Sequence, residues 1–319
     1  MSGAANIPDN GIPGGEPTQV KKPARVTVRT LDAMRTRGER FACLTAYDAT
    51  MARLLHRAGV HVLLVGDTAA EMVLGYRTTV QMPLDVLIAL TAAVRRGAPD
   101  ALVMGDMPFM SYHCGDDDAV RNAGRFVTEG GADIVKLEMD STFAPLVKRL
   151  SHAGIAVCAH VGSRPQHVVK TGGYRAAGRT AEDASRIVRD AIALEAAGAS
   201  MLLVEAVPGV VAERIMESTG VPVIGIGAGA KCHGQVLVVH DLLGLSETQP
   251  AFAEPMTDLG SQITRVAAEW AARVARGDMF GKSFAMPPEE LARFMNNPHP
   301  GDGFAESDMK AGGTERTEE

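Results

Sequence analysis

Four acidic residues in this chain each end an apolar run: Val62-Leu-Leu-Val-Gly-Asp67, Ala101-Leu-Val-Met-Gly-Asp106, Ile134-Val-Lys-Leu-Glu138 and Met201-Leu-Leu-Val-Glu205. Such a run reads as a buried parallel strand that delivers its acid to the end of a sheet. A single acid in that position can equally cap the following helix, and Asp67 alone is open to that reading. Four of them at one mouth would repel one another unless a cation or a proton stood between them. Oxygen ligands without a Cys/His cluster point to Mg2+ rather than zinc. Magnesium takes one or two carboxylates and keeps waters, which leaves positions for a chelating substrate.

Two basic groups belong to the same set. Lys136 stands two residues before Glu138, so on a strand both side chains face one way. There it could attract an anionic substrate or form an internal salt bridge. His160 follows Ile155–Ala159, either as a site residue or as a hydrogen-bonded core histidine. The turn Gly225-Ile-Gly-Ala-Gly229 lacks the spacing of a dinucleotide fingerprint. Together these residues describe a magnesium-assisted enzyme acting on a small oxyanion.

To meet at one mouth, the acids need alternating strands and helices. Strands are expected at 41–47, 60–65, 101–104, 133–137, 155–159, 199–204, 221–226 and 236–239. Helices are expected at 28–37, 49–57, 83–96, 116–129, 141–153, 181–197, 210–219 and 259–276, the last closing the ring. Asp48 would cap the second helix. Asp67 to Asp106 is 39 residues and Asp106 to Glu138 is 32, close to the ~30 or more of one βαβ unit. Eight such strands form a (βα)8 TIM barrel, whose strand ends converge on one face. Two connections, 68–82 and 162–179, exceed the usual ~2–6 residues and read as functional loops, the second as a lid over the mouth. Residues 1–25 and 296–319 read as disordered tails around a single barrel domain at 26–295.

The totals narrow the class. With 319 residues, 46% hydrophobic and 22% charged, the chain can bury one large core. A net charge of -6 argues against a nucleic-acid partner. No apolar run reaches the ~18 residues of a membrane span, and residues 1–25 lack a signal-peptide core. Cys43, Cys114, Cys158 and Cys232 are scattered, as reduced thiols would be. A soluble cytoplasmic enzyme is expected.

The chain resembles the ketopantoate hydroxymethyltransferase family from about Thr27 to Phe284. The resemblance rests on Leu44-Thr-Ala-Tyr-Asp48, Val65-Gly-Asp-Thr68, Thr91-Ala-Ala-Val-Arg-Arg-Gly97, Asp106-Met-Pro-Phe-Met110 and Val135-Lys-Leu-Glu138. It continues in His160-Val-Gly162, Gly172-Gly-Tyr174, Ala191-Ile-Ala-Leu-Glu-Ala-Ala-Gly198, Val204-Glu-Ala-Val-Pro208, Ile224-Gly-Ile-Gly-Ala-Gly229 and Gly234-Gln-Val-Leu-Val-Val-His-Asp241. It implies a barrel of the phosphoenolpyruvate mutase/isocitrate lyase-like type and a Mg2+-dependent hydroxymethyl transfer. The donor would be 5,10-methylenetetrahydrofolate, the acceptor 3-methyl-2-oxobutanoate, and the assembly a homo-oligomer, typically a decamer. By the same resemblance Asp67 and Asp106 would hold the metal, with Glu138 joining directly or through water. Asp67, Thr68, Asp106, Lys136 and His160 would contact the oxo acid, and Glu205 would be the acid/base residue.

The chain departs from the family pattern at Thr68, at Ala69-Ala70-Glu71, at Met139-Asp140 and at His233, which bears on the oxo acid accepted and on folate contacts. A folate-independent magnesium lyase or mutase on a small 2-oxo acid is the rival reading. A catalytically silent barrel kept as a scaffold is a third, against which the joint presence of Asp67, Asp106, Lys136, Glu138 and Glu205 argues.

Overall fold

The structure, a computed structural model, describes residues 25–278, 281 and 283–296. The two tails expected at the termini lie essentially outside these residues. Eight parallel strands form a closed barrel in sequence order: β1 (Phe41–Thr45), β2 (Val62–Val65), β3 (Leu102–Asp106), β4 (Ile134–Glu138), β5 (Val157–Gly162), β6 (Met201–Glu205), β7 (Val223–Ile226) and β8 (Gly234–Leu237). The helices are α1 (Val28–Thr36), α2 (Ala49–Arg57), α3 (Ala69–Met72), α4 (Leu84–Gly97), α5 (Asp116–Thr128), α6 (Ala144–His152), α7 (Val168–Thr171), α8 (Ala181–Ala196), α9 (Gly209–Ser218), α10 (Val239–Leu242), α11 (Leu259–Arg276) and α12 (Pro288–Met295). Asp48 caps α2 as expected, its carboxylate accepting from Thr50 N (2.7 Å) and Met51 N (2.9 Å).

Strand alternation creates two apolar layers and one polar end. Val135 and Leu137 face outward into the core between strands and helices. Ile134 faces the barrel interior with Leu102, Met104, Cys158, Met201 and Leu203. Continuing each interior row by period two brings Asp106, Lys136, Glu138, His160 and Glu205 to the C-terminal end. The interior is therefore apolar below and charged above, the usual place for a barrel's active site.

Several boundaries differ from expectation. β3, β4 and β6 run on to include their terminal carboxylates, and β5 reaches Gly162 with His160 inside it. β8 begins at Gly234, before the apolar run, because Gly234 pairs with both Phe41 and Ile224. His240 and Asp241 consequently lie in α10 rather than at a strand end. The two long loops contain α3 and α7, with 3-10 turns at Thr79–Gln81 and Pro165–His167. The ring is closed by β1–β8 pairing, not by α11. No residue of α11 is buried, and Ile263, Val266, Trp270 and Val274 form an exposed apolar stripe. The chain divides into two compact units at Gln262/Ile263, the second holding α12 and most of α11. Among the described residues no helix is long and apolar enough to cross a membrane.

Gly162 joins β5 to the site. Its φ is +100°, and a Cβ there would stand 2.5 Å from the Glu205 carbonyl oxygen. Gly162→Ala should cost about 1–3 kcal/mol through backbone strain and crowding, read as a lower midpoint in denaturant melts. An unchanged midpoint would contradict this.

Candidate active site

All the residues expected at the site line one cavity of about 630 Å³ at the C-terminal end of the barrel. Register explains their proximity, since Asp106 pairs with Lys136, Glu138 with His160, and Gly162 with Glu205. Lys136 Nζ lies 2.7 Å from Asp106 Oδ1, so the internal salt bridge anticipated as an alternative is present. Asp106 Oδ2 accepts from Asp67 N at 3.0 Å. Asp67 does not cap α3, where Thr68 occupies the cap position. Instead its Oδ2 accepts from Gln166 Nε2 at 2.9 Å.

Electrostatics follow from burial. Burial, then repulsion from Asp106, pushes the Asp67 carboxyl well above the usual range. Burial does the same to Glu138, with Lys136 opposing. Lys136 would be lowered by burial, but Asp106, Asp67 and Glu138 more than compensate and hold it as an ammonium. Burial and the neighbouring Lys136 keep His160 neutral, well below its ordinary value. Its Nδ1 lies 3.4 Å from Lys136 Nζ. An ammonium can only donate, which assigns the lone pair to Nδ1 and the proton to Nε2. Nε2 then faces Glu205 Oε2 at 3.5 Å. Glu205 is pushed up to about 7, by burial first and Asp106 next, with Lys136 opposing. A carboxylate poised near neutrality suits proton abstraction.

The site contains residues that strand-end reasoning did not single out. Tyr47 Oη and Thr68 Oγ1 are 2.6 Å apart. Tyr112 Oη contacts Glu138 O at 3.1 Å and Gln166 Oε1 at 2.6 Å. Tyr47 lies within the Leu44–Asp48 motif; Gln166 and Tyr112 sit in loops, where no periodicity marks them. The lid expected at 162–179 does border the cavity through Pro165, Tyr174 and Arg175. Tyr174 Oη donates to Glu71 Oε1 at 3.0 Å, so one departure from the family pattern ties the two long loops together. Another, Asp140, accepts from Arg164 Nη1 at 2.8 Å. Met139 is fully packed at 1% exposure, and His233 Nδ1 accepts from Val223 N at 3.1 Å.

For a cation the donor set is suitable. Asp67, Asp106, Glu138 and Glu205 line the cavity beside Lys136, and Glu138 Oε1 is buried with no hydrogen-bond partner. Among the described residues no three Asp, Glu, His or Cys side chains form a ready-made metal cage. The carboxylates themselves fit Mg2+, which takes one or two of them and completes its shell with water or substrate. The four cysteines are free thiols.

Comparison with known proteins agrees with this geometry. The chain is 46% identical over 256 residues to a 3-methyl-2-oxobutanoate hydroxymethyltransferase from Halorhodospira halophila (strain DSM 244 / SL1), covering 80% of this chain and 93% of the relative. It is 45% identical over 258 residues to one from Hyperthermus butylicus (strain DSM 5456 / JCM 9403 / PLM1-5), covering 81% and 89%. Among solved structures, a phosphonopyruvate hydrolase in complex with oxalate and Mg2+ superposes with TM-score 0.55 at 13% identity, covering 85% of this chain and 95% of that one. A 2,3-dimethylmalate lyase of the PEP mutase/isocitrate lyase superfamily gives TM-score 0.50 at 17% identity, covering 86% and 95%. These two likenesses establish the barrel type. Residues 25–282 match the family model described as ketopantoate hydroxymethyltransferase, and the chain belongs to that family.

Proposed function

We propose that this protein transfers a hydroxymethyl group from 5,10-methylenetetrahydrofolate to 3-methyl-2-oxobutanoate, giving 2-dehydropantoate, with Mg2+ as its metal. The observation that carries the reading is the meeting of Asp67, Asp106, Lys136, Glu138 and Glu205 at one cavity, in a chain whose relatives bear the name of that activity. Asp67 and Asp106 would hold the metal, with Glu138 joining directly or through water. When bound, Mg2+ supplies a Lewis acid for the negative charge that builds on the keto oxygen of a 2-oxo acid.

The chain's own residues do the rest. Lys136 and Thr68 bind the anionic acceptor, and His160 borders it as a neutral imidazole. Glu205 takes the proton from C3 of the oxo acid, and that carbon then bonds to the one-carbon unit of the folate. Water supplies the hydroxyl oxygen and tetrahydrofolate leaves. The apolar stripe on α11 supports assembly of this chain into a homo-oligomer, a decamer by family resemblance. Four free thiols fit a reducing, cytoplasmic setting.

Two measurements check the reading. Purified protein with Mg2+, oxo acid and 5,10-methylenetetrahydrofolate should form 2-dehydropantoate; C–C bond cleavage of a 2-oxo acid without folate would contradict it. Glu205 must also be ionised to accept a proton. Activity should therefore rise with pH through the carboxyl's pKa and fall about tenfold per unit below it. With that pKa at about 7 and the cation pulling it down, the ascending limb of kcat/KM should centre at or just below neutrality. A limb centred in the ordinary glutamate range, about 4.3, would contradict the assignment.

A further inference from the structure

Gln166 is buried behind the cavity wall, against two of the site's carboxylates. It lies in the Pro165–His167 turn after β5 and is 2% exposed. Its Nε2 donates to Asp67 Oδ2 at 2.9 Å and to Met107 O at 3.0 Å. Its Oε1 accepts from Tyr112 Oη at 2.6 Å. Its backbone N–H donates to Glu138 Oε2 at 3.0 Å. With both amide hydrogens committed to acceptors, the amide can be oriented in only one way. One residue from the turn after β5 thus spans the ends of β2 and β4 and the loop after β3.

We propose that Gln166 is the positioning residue of the cation site, resting on the magnesium reading above. By occupying Asp67 Oδ2 it turns the other oxygen of that carboxylate toward the cation. By occupying Glu138 Oε2 it leaves Oε1, buried and without a partner, as the oxygen that faces the ion or its water. Partners of this kind fix a ligand's orientation and basicity, and their loss weakens metal binding by about 10–100-fold. The turn carrying Gln166 is itself anchored by Arg164 Nη1 on Asp140 Oδ2 at 2.8 Å. Asp140 in turn accepts from Thr142 N at 3.1 Å. Asp140 belongs to the segment where this chain departs from its family's pattern. The anchor therefore gives that segment a task.

The test is calorimetric titration of the full chain with Mg2+, alone and with 3-methyl-2-oxobutanoate. Gln166→Met keeps the length and removes every side-chain hydrogen bond. It should weaken Mg2+ about 10–100-fold, and turnover should return as Mg2+ is raised, which a merely structural defect would not allow. Arg164→Ala, at a side chain 18% exposed, should weaken Mg2+ by a smaller factor while folding normally. A folded Gln166→Met protein that binds Mg2+ within twofold of the parent overturns the proposal. If Gln166→Met does not fold, an Arg164→Ala titration identical to the parent's overturns it. A parent that binds no Mg2+ would instead overturn the reading on which the proposal rests.

Discussion

Glu205→Gln should lower turnover by about 10²–10⁴, the usual range for a lost general base, while oxo-acid and Mg2+ binding stay within a few-fold of the parent. The amide has the shape of the carboxylate and still offers an oxygen toward His160 Nε2, now 3.5 Å from Glu205 Oε2. What it lacks is a site for the proton. Glu205 takes no part in the hydrogen bonds that tie Asp67, Asp106 and Glu138 to Lys136 and Gln166, so the rest of the site should survive the change. Steady-state rates beside calorimetry separate the two effects. Undiminished turnover would mean that another group takes the proton.

Asp106→Ala should act on binding rather than on the proton transfer. The carboxylate is within 2.7 Å of Lys136 Nζ and accepts from Asp67 N, so its loss undoes three things together. The proposed metal ligand disappears, a buried backbone N–H loses its acceptor, and a buried ammonium loses its nearest counter-charge. Mg2+ affinity should fall by more than the ~10–100-fold of removing a residue that only orients a ligand. Breaking a buried ion pair from one side costs about 3–5 kcal/mol. Asp67 and Glu138 still support Lys136, which places the cost at the lower end. A Mg2+ titration matching the parent's would show that Asp106 is not a ligand.

The residues that made the barrel legible are those whose periodicity is simple. Val62–Val65, Leu102–Met104 and Met201–Val204 are buried on both faces, and such runs announce parallel strands. The acids Asp106, Glu138 and Glu205 were legible for a related reason, because period two extends the interior rows of β3, β4 and β6 to them. Boundaries were harder. Gly234 and Gln235 carry no apolar signal and enter β8 only because β1 and β7 offer hydrogen bonds on either side. Gln166 could be placed in the long loop at 162–179, but its role was hidden for a deeper reason. Its contacts reach Asp67, 99 residues away, and a neutral amide in a loop has no pattern that distinguishes it. Lys136 illustrates the middle ground: its side could be inferred from Glu138, but the pairing with Asp106 needed the β3–β4 register. The stripe on α11 shows the opposite failure. The helix at 259–276 was expected to close the ring, yet Ile263, Val266, Trp270 and Val274 are exposed.

The account turns on a carboxylate-lined mouth that makes the C3–H bond of a small 2-oxo acid labile. Deuterium exchange tests this without folate: protein, 3-methyl-2-oxobutanoate and Mg2+ in D2O, followed by NMR. Deuterium should appear at C3, stop when the metal is chelated, and nearly vanish in Glu205→Gln. A C3–H signal that persists with fully folded, Mg2+-loaded protein would contradict the account.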